Sequence, residues 1–409
     1  MSAYLPYGRQ SISPADLEAV ANVLRSDFLT CGPEVEEFEL RFAEMIGAKH
    51  ALAVNSATSA LHLAMLVAGI KPGDRVITSP NTFVASANCA AYVGAKPDFA
   101  DIDPVSYNLD PVALEKAWSP DTKAVVAVDY AGQPCDMPAI AKLARERGSF
   151  VIEDACHAVG SAFLHEGRTC KVGNHPWADM TIFSFHPVKT MTTGEGGMLA
   201  TNNSAWAQRA RQLRSHGIVR DASQFQGLSS RPQSSILHSQ LDERGPWYYE
   251  MQELGYNYRM TDIQCALGIS QLGRLDSFIS RRREIVAQYN HKLENLDWLQ
   301  TPVLMNPSNR DLISWHLYTV QMDFNKLGKS RTEVMRELKE KGIGTQVLYI
   351  PVHLQPWYRK RFGYETGKCP NAEQFYSRAL SLPLFPEMSD AQVSRVVQAM
   401  QGLAAHRKP

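Results

Sequence analysis

The segment MTIFSFHPVKTMTTGEGGMLAT, residues 180–201, decides how this chain folds. Two apolar runs of strand length enclose a short loop that carries a single lysine, Lys189, and a glycine-rich turn. In a sheet of the doubly wound type, ligands bind at strand ends and at the loops that follow them. The segment therefore predicts a strand whose end presents Lys189 to a ligand.

Similar apolar runs recur between His50 and Asn202, and helix-like stretches or Gly and Pro breaks separate several of them. They are HALAV, DRVITSP, KPDFADID, KAVVAVDY, FVIEDA, MTIFSF and GGMLATN. One connecting stretch has apolar residues at helical spacing and Ser or Thr as N-cap candidates, which predicts a helix that begins near Thr58. Alternating strands and helices predict an α/β fold with a mostly parallel sheet covered on both faces.

The rest of the chain predicts a second, smaller unit. Residues 261–293 have apolar positions at helical spacing and predict one long helix that leaves the first domain. Beyond residue 297, HLYTVQM is typical of a strand and RTEVMRELKEKG of an amphipathic helix, which is enough for a small α+β domain. Residues 221–243 are rich in Ser and Gln and predict a mobile surface loop.

Composition excludes several classes of protein. Apolar residues make up 44% of the 409 positions, as in a folded chain, and Lys plus Arg equal Asp plus Glu at 42 each. Because there is no basic excess, we expect no nucleic-acid partner. The seven cysteines are scattered without a C-x-x-C pair, which indicates free thiols and no metal. With no apolar run long enough for a membrane, we expect a cytoplasmic protein.

Lys189 and Asp154 are the candidate catalytic pair. A lysine is a nucleophile only when uncharged, and a partly desolvated strand end lowers its pKa, although a lone loop lysine is more often a solvated surface charge. Asp154 ends the apolar run FVIED, where a carboxylate needs a cation such as a protonated pyridine nitrogen. Alternatively, Asp154 caps a helix or pairs with an arginine, and His157 is a core histidine.

The string NSATSA, residues 55–60, is the candidate phosphate site. Small residues at a helix start expose backbone N–H groups and hydroxyls to an anion, although the same residues also serve as ordinary helix caps. A phosphate site, a partner for a pyridinium and a lysine, found together, are a more specific functional signal than any one of them alone.

The chain resembles the sugar-nucleotide aminotransferases of the DegT type across nearly its whole length. The resemblance rests on the strings YGRQSI, NSATSALHLA, PNTFVASANC, FSFHPVK, GYNYRMTDIQ, YIPVHLQPWY and SLPLFP. It implies a fold-type I transferase that uses pyridoxal 5'-phosphate (PLP), with a seven-stranded, mostly parallel sheet between helices. The large PLP-binding domain would span residues 12–260, and the smaller α+β domain residues 261–409, with residues 1–11 associated with it.

The resemblance also implies roles for individual residues. Lys189 would be the Schiff-base lysine, Asp154 the partner of the pyridine nitrogen, and Phe83 the ring that stacks on the cofactor. His157 would contact the phenolic oxygen of PLP. The phosphate would be held by Thr58, Ser59, Ser184 and, from a second subunit, Asn257, so that a homodimer shares its active sites.

For the sugar nucleotide, the family pattern implies contacts from two ends of the chain and from Asn257. They are Tyr7, Asp27, Phe28, Leu29, Thr30, Ala57, Ile350, Pro351, Val352 and His353. The chain departs from the pattern at Leu348-Tyr349, where the family commonly has His-Tyr, and in the apparent length of residues 221–243. Relatives with histidine in place of the lysine act as sugar dehydratases, and Lys189 argues against that activity.

The implied reaction moves the amino group of L-glutamate to C4 of a UDP-linked 4-keto-6-deoxy-N-acetyl hexose and releases 2-oxoglutarate. A transaminase for another keto sugar, 3-keto or dTDP-linked, remains open because cofactor residues do not distinguish sugars. A PLP-binding regulator would need an added DNA-binding domain, for which the N-terminal residues are too few. A catalytically idle relative would not need the lysine and carboxylate.

Overall fold

A computed structural model describes residues 4–226 and 247–404 of the chain. Its strands, in chain order, are β1 (His50–Val54), β2 (Arg75–Thr78), β3 (Lys96–Phe99), β4 (Thr122–Val128), β5 (Phe150–Asp154), β6 (Ala162–His165), β7 (Arg168–Lys171), β8 (Met180–Ser184), β9 (Gly197–Thr201), β10 (Ile218–Val219), β11 (Glu250–Met251), β12 (Leu299–Gln300), β13 (Tyr318–Met322) and β14 (Ala379–Leu382).

A seven-stranded sheet in the order β1-β9-β8-β5-β4-β2-β3 forms the centre of the structure. Strands β8, β5, β4, β2 and β3 run parallel to one another, and β9 runs antiparallel to both of its neighbours, β1 and β8. Strands β8 and β9 are buried at every position, as expected for a sheet with both faces covered. The predicted α/β fold with a mostly parallel sheet is confirmed.

Helices cover this sheet and build the C-terminal part. They are α1 (Pro14–Leu24), α2 (Pro33–Ile46), α3 (Ala57–Val67), α4 (Ala85–Tyr92), α5 (Pro111–Ala117), α6 (Met137–Glu146), α7 (Ser204–Arg214), α8 (Asp262–Leu272), α9 (Leu275–Leu293), α10 (Phe324–Leu327), α11 (Arg331–Glu340), α12 (Pro356–Phe362), α13 (Pro370–Arg378) and α14 (Asp390–Gln401). Short 3-10 turns lie at Tyr130–Gly132, Ala222–Gln224, Pro307–Leu312, Val352–Leu354 and Gly402–Ala404. The helix expected near Thr58 begins one residue earlier, at Ala57.

The C-terminal part has its own sheet and core. Strands β12, β13 and β14 form a three-stranded antiparallel sheet, and the expected strand and amphipathic helix are β13 and α11. Its buried apolar cluster draws on residues 285–403 and on Leu5, whose N–H donates to the carbonyl of Gly342 at 2.9 Å. The domain boundary between residues 260 and 261 stays a prediction.

The single long helix expected over residues 261–293 is wrong. The structure has two helices, α8 and α9, separated at Gly273 and Arg274. Arg274 leaves the helical conformation, and its guanidinium binds the buried carboxylate of Asp16 and the carbonyl of Ser11. Apolar spacing could not reveal this break, because the two helices keep a similar pattern and the anchor lies in α1.

Three further observations concern the described residues. All seven cysteines are free thiols. Within residues 4–226 and 247–404, no group of three or more His, Cys, Asp or Glu side chains could hold a metal ion. No helix in the same ranges has the length and apolar character needed to cross a membrane.

Gly132 is a point of close approach between the two parts of the chain. Its φ is +101°, and a β-carbon there would overlap the carbonyl of Ser314. Gly148 also has a positive φ, +65°, but a β-carbon there would meet nothing within 4 Å. A comparison of substitutions at Gly132 and Gly148 therefore distinguishes the cost of steric overlap from that of backbone strain.

We expect Gly148→Ala to lower the free energy of unfolding by about 1 kcal/mol, the cost of a side chain in the left-handed region. Gly132→Ala should cost about 3 kcal/mol, because overlap with backbone adds to that strain. Thermal unfolding followed by circular dichroism measures both. Equal losses in the two variants would contradict the close approach at Gly132.

Candidate active site

A cavity of about 820 Å³ opens at the edge of the seven-stranded sheet where the parallel strands end. Asp154 and Ser184 are the last residues of β5 and β8, and Val128 is the last of β4. Because β9 runs the other way, Glu195, two residues before its first residue, lies at the same edge. The sheet therefore gathers side chains that are far apart in sequence.

Half of the predicted site residues line this cavity within one chain. They are Tyr7, Ala57, Thr58, Ser59, Phe83, Asp154, His157, Ser184 and Lys189. The others do not line it: Asp27, Phe28, Leu29, Thr30, Asn257, Ile350, Pro351, Val352 and His353. The first group contains every predicted cofactor residue except Asn257, and the second contains most predicted sugar contacts.

Lys189 lies in the loop between β8 and β9, and its backbone N–H donates to the carbonyl of His186 at 2.9 Å. Burial lowers the pKa of the Lys189 amine, and the nearby groups Cys156 and Asp154 oppose this shift. A lowered pKa leaves more of the amine uncharged near neutral pH. The lysine thus meets the first requirement for a nucleophile or a base.

Asp154 is buried, and both of its carboxylate oxygens are bound. The hydroxyl of Ser86 donates to Oδ2 at 2.6 Å, and the N–H of Cys156 is 3.2 Å from Oδ1. Since the Ser86 hydrogen points to Asp154, Thr82 donates its own hydrogen to Ser86 Oγ at 2.7 Å. The carboxylate is therefore fixed in direction at the cavity wall.

The start of α3 faces the same cavity. Ser56 caps the helix by accepting from the N–H of Ser59 at 3.1 Å, and Ser59 Oγ donates to Asn55 at 2.6 Å. A β-carbon at Gly197, the first residue of β9, would lie 2.5 Å from the nitrogen of Ala57. Glycine thus lets the strand pack directly against the helix start, where an anion is attracted by free N–H groups.

His157 has a partner at each ring nitrogen. The N–H of Ala131 donates to Nδ1 at 3.2 Å, and the hydroxyl oxygen of Tyr349 lies 3.2 Å from Nε2. Burial lowers the pKa of His157 well below its ordinary value, and the charge of Lys189 lowers it further. The imidazole is therefore neutral near pH 7.

This set of groups fits PLP. A fixed carboxylate is suited to a pyridinium, a helix start with hydroxyls to a phosphate, and a partly desolvated lysine to an aldehyde carbon. Phe83 is 57% exposed and lines the cavity, so its ring is free to cover an aromatic ligand. The cavity brings these groups together.

The profile of the DegT/DnrJ/EryC1/StrS aminotransferase family matches residues 10–401. The chain belongs to this family. The DegT-family chain is 43% identical over 401 residues to the spore coat polysaccharide biosynthesis protein SpsC of Bacillus subtilis, covering 98% of this chain and 97% of SpsC.

Solved structures agree with the family. PseC of Helicobacter pylori, an aminotransferase involved in the biosynthesis of pseudoaminic acid, is 30% identical with a TM-score of 0.85 and covers 98% of this chain and 99% of PseC. Spr1654 of Streptococcus pneumoniae, solved in its PLP form, is 27% identical with a TM-score of 0.84, over 98% of this chain and 99% of Spr1654. The DegT-family chain is a fold-type I aminotransferase whose cofactor is PLP.

The predicted sugar contacts outside the cavity have different surroundings. His353 is fully buried, and its Nε2 lies 2.9 Å from Glu373. Val352 is also buried, and its N–H donates to the carbonyl of Pro80, whereas Ile350 is 47% exposed. The roles of these residues stay predictions.

The structure adds cavity residues that the sequence did not single out for this role. Ser86, Thr82, Gln264, His316 and Tyr349 all line the cavity. Only Tyr349 carried a signal, because it follows the departure from the family pattern at position 348. The loop predicted over residues 221–243 lies outside the described residues from 227 onward, and residues 222–224 form a 3-10 turn.

Ser86→Ala should weaken PLP binding to the apoenzyme about 10-fold, because Asp154 loses a buried hydrogen bond to a charged group. Ser86→Thr keeps the hydroxyl and should bind PLP nearly as the wild type does. Fluorescence titration of apoenzyme with PLP gives the dissociation constants, and circular dichroism checks folding. An unchanged dissociation constant in Ser86→Ala would refute the role of this hydrogen bond.

Proposed function

We propose that this enzyme transfers the amino group of L-glutamate to C4 of a UDP-linked 4-keto-6-deoxy-N-acetyl hexose. The product would be UDP-4-amino-4,6-dideoxy-N-acetyl-β-L-altrosamine. This transfer is a reaction of the pseudaminic acid pathway. The observation that carries the transaminase chemistry is the meeting of Lys189, Asp154 and the start of α3 around one cavity. The similarity to PseC over nearly the whole chain supports the choice of sugar.

A second candidate is another nucleotide-linked keto sugar, such as a 3-keto or dTDP-linked one. It is favoured by the higher identity to SpsC, 43% against 30% for PseC, since the name of SpsC refers to a spore coat polysaccharide. Both candidates use the same cofactor residues and differ only in the part of the site that receives the sugar.

Individual residues of the chain have different roles in this reaction. PLP supplies a ring that carries the amino group and accepts the negative charge that develops when a proton leaves carbon. Lys189 Nζ moves that proton, because burial leaves its amine partly uncharged. Asp154 would hold the ring nitrogen through its fixed carboxylate. Phe83, which lines the cavity, would cover one face of the ring.

We also propose that the active enzyme is a homodimer in which Asn257 reaches the phosphate site of the other subunit. Asn257 is exposed and does not line the cavity of its own chain, which supports a role across an interface. Phe28 and Leu29 are 54% and 47% exposed, and Leu17 and Leu40 on the adjoining helices are also exposed. Exposed apolar side chains of this kind are typical of a protein interface. We place the enzyme in the cytoplasm, where nucleotide sugars are made.

The holoenzyme should convert the UDP-linked 4-keto sugar and L-glutamate to the 4-amino sugar and 2-oxoglutarate. Because Lys189 moves the proton, Lys189→Ala should lose activity by at least about 10³-fold. Mass spectrometry of products from a panel of UDP- and dTDP-linked 3-keto and 4-keto sugars measures the preference.

Borohydride reduction of the resting holoenzyme, followed by peptide mapping, tests whether Lys189 is the lysine that binds the cofactor. The cofactor should be attached at Lys189. Attachment at another lysine, or none, would end the transaminase assignment, whereas preference for a dTDP-linked or 3-keto sugar would support the second candidate.

Mixing two inactive variants tests the shared site. If Asn257 acts in the site of the partner subunit, a dimer of one Lys189→Ala chain and one Asn257→Ala chain has one intact site of two. Since random mixing makes about half of the dimers mixed, it should restore about a quarter of the wild-type activity. Each variant alone should be inactive. Co-expression with two affinity tags isolates the mixed dimer, and absence of activity there would indicate that Asn257 acts within its own chain.

A further inference from the structure

The hydrogen position on His157 can be read from its neighbours. Ala131 donates its N–H to Nδ1 at 3.2 Å, so Nδ1 must be an acceptor. Because the ring is neutral, its single hydrogen is on Nε2. Ala131 itself has a φ of +58°, which is uncommon for a residue other than glycine and directs this N–H at the ring. The tautomer is thus set by the main chain.

This tautomer determines how Tyr349 is hydrogen-bonded. Since Nε2 carries the hydrogen, it donates to the hydroxyl oxygen of Tyr349 at 3.2 Å. The phenol keeps its own hydrogen, and within residues 4–226 and 247–404 the structure gives that hydrogen no protein acceptor. Tyr349 lines the same cavity as Lys189 and Asp154. This hydrogen is therefore available to an acceptor that binds in the cavity.

Tyr349 is held in place from several sides. Its ring lies nearly parallel to that of His157, at an angle of 20° and a centroid distance of 6.2 Å. The carbonyl of the preceding residue, Leu348, accepts from the hydroxyl of Tyr130 at 2.7 Å. Because Leu348 offers only an apolar side chain to the cavity, Tyr349 is the polar group that this segment presents there. Such fixed donors are effective because they need no reorganisation during the reaction.

The protonation of Tyr349 suits a donor. Burial raises the pKa of its phenol well above the ordinary value, and neighbouring tyrosines raise it further. The hydroxyl is therefore protonated near neutral pH. It can polarise an oxygen acceptor without losing its hydrogen.

We propose that Tyr349 is a catalytic residue that donates its phenol hydrogen to an oxygen bound beside Lys189. The acceptor is a carbonyl or anionic oxygen, either of the keto substrate or of the phenolic group of PLP. His157 acts through Tyr349, because its only N–H is used to orient the phenol, and this replaces the direct contact with the phenolic oxygen of PLP that the family resemblance implies. This inference rests on the proposed function, which supplies the keto substrate and the cofactor.

Tyr349→Phe removes only the hydroxyl, and Tyr358→Phe is the matched control. Tyr358 is buried, and its hydroxyl donates to Asn88 at 2.6 Å outside the cavity. Two readouts distinguish the acceptor. A shift in the visible absorption of bound PLP without substrate identifies the cofactor oxygen, whereas an unchanged spectrum with a loss of kcat of about 10²-fold identifies the keto oxygen. Tyr358→Phe should change neither.

The same experiment separates this proposal from the transaminase assignment. Addition of L-glutamate alone should change the absorption of wild-type holoenzyme as the amino group is taken up. If the wild type does not respond, the proposed function fails. If the wild type responds and Tyr349→Phe matches it in spectrum, kcat and KM, only the role of Tyr349 is overturned.

Discussion

The structure depends on the constraint that parallel strands end at one edge of their sheet. Strands β5 and β8 bring Asp154 and Ser184 to that edge, and the reversed strand β9 begins at the same edge after the Lys189 loop. A buried carboxylate at such an edge is stable only with hydrogen-bond donors, which Ser86 and the N–H of Cys156 provide. The sheet order therefore determines which residues can cooperate.

The sequence predicted this arrangement well where a local pattern determines structure. Apolar runs located the strands, and the small residues after β1 located the start of α3. The expected long helix failed because Arg274 departs from helical geometry to bind Asp16, a contact that no apolar period encodes. Local patterns describe elements, whereas such breaks arise from tertiary contacts.

The sequence predicted the site, like the fold, where a local pattern places a residue. Asp154 ends an apolar run and Lys189 follows one, so the local pattern alone is a physical reason to place both at strand ends. Ser86 had no such signal, because its bond to Asp154 joins residues on different elements. The hydrogen-bonding role of Tyr349 depends on a histidine tautomer set by the backbone of Ala131. Such contacts form only when distant parts of the chain meet.

The main chain of Ala131 links the large sheet to the C-terminal part. Its N–H binds His157 at the sheet, and its carbonyl accepts from the N–H of His316, which precedes β13 of the C-terminal part. Gly132 packs against Ser314 in the same place. A displacement of the C-terminal part relative to the sheet would strain one of these bonds and tilt the imidazole. The turn therefore ties the position of His157 in the cavity wall to that of the C-terminal part.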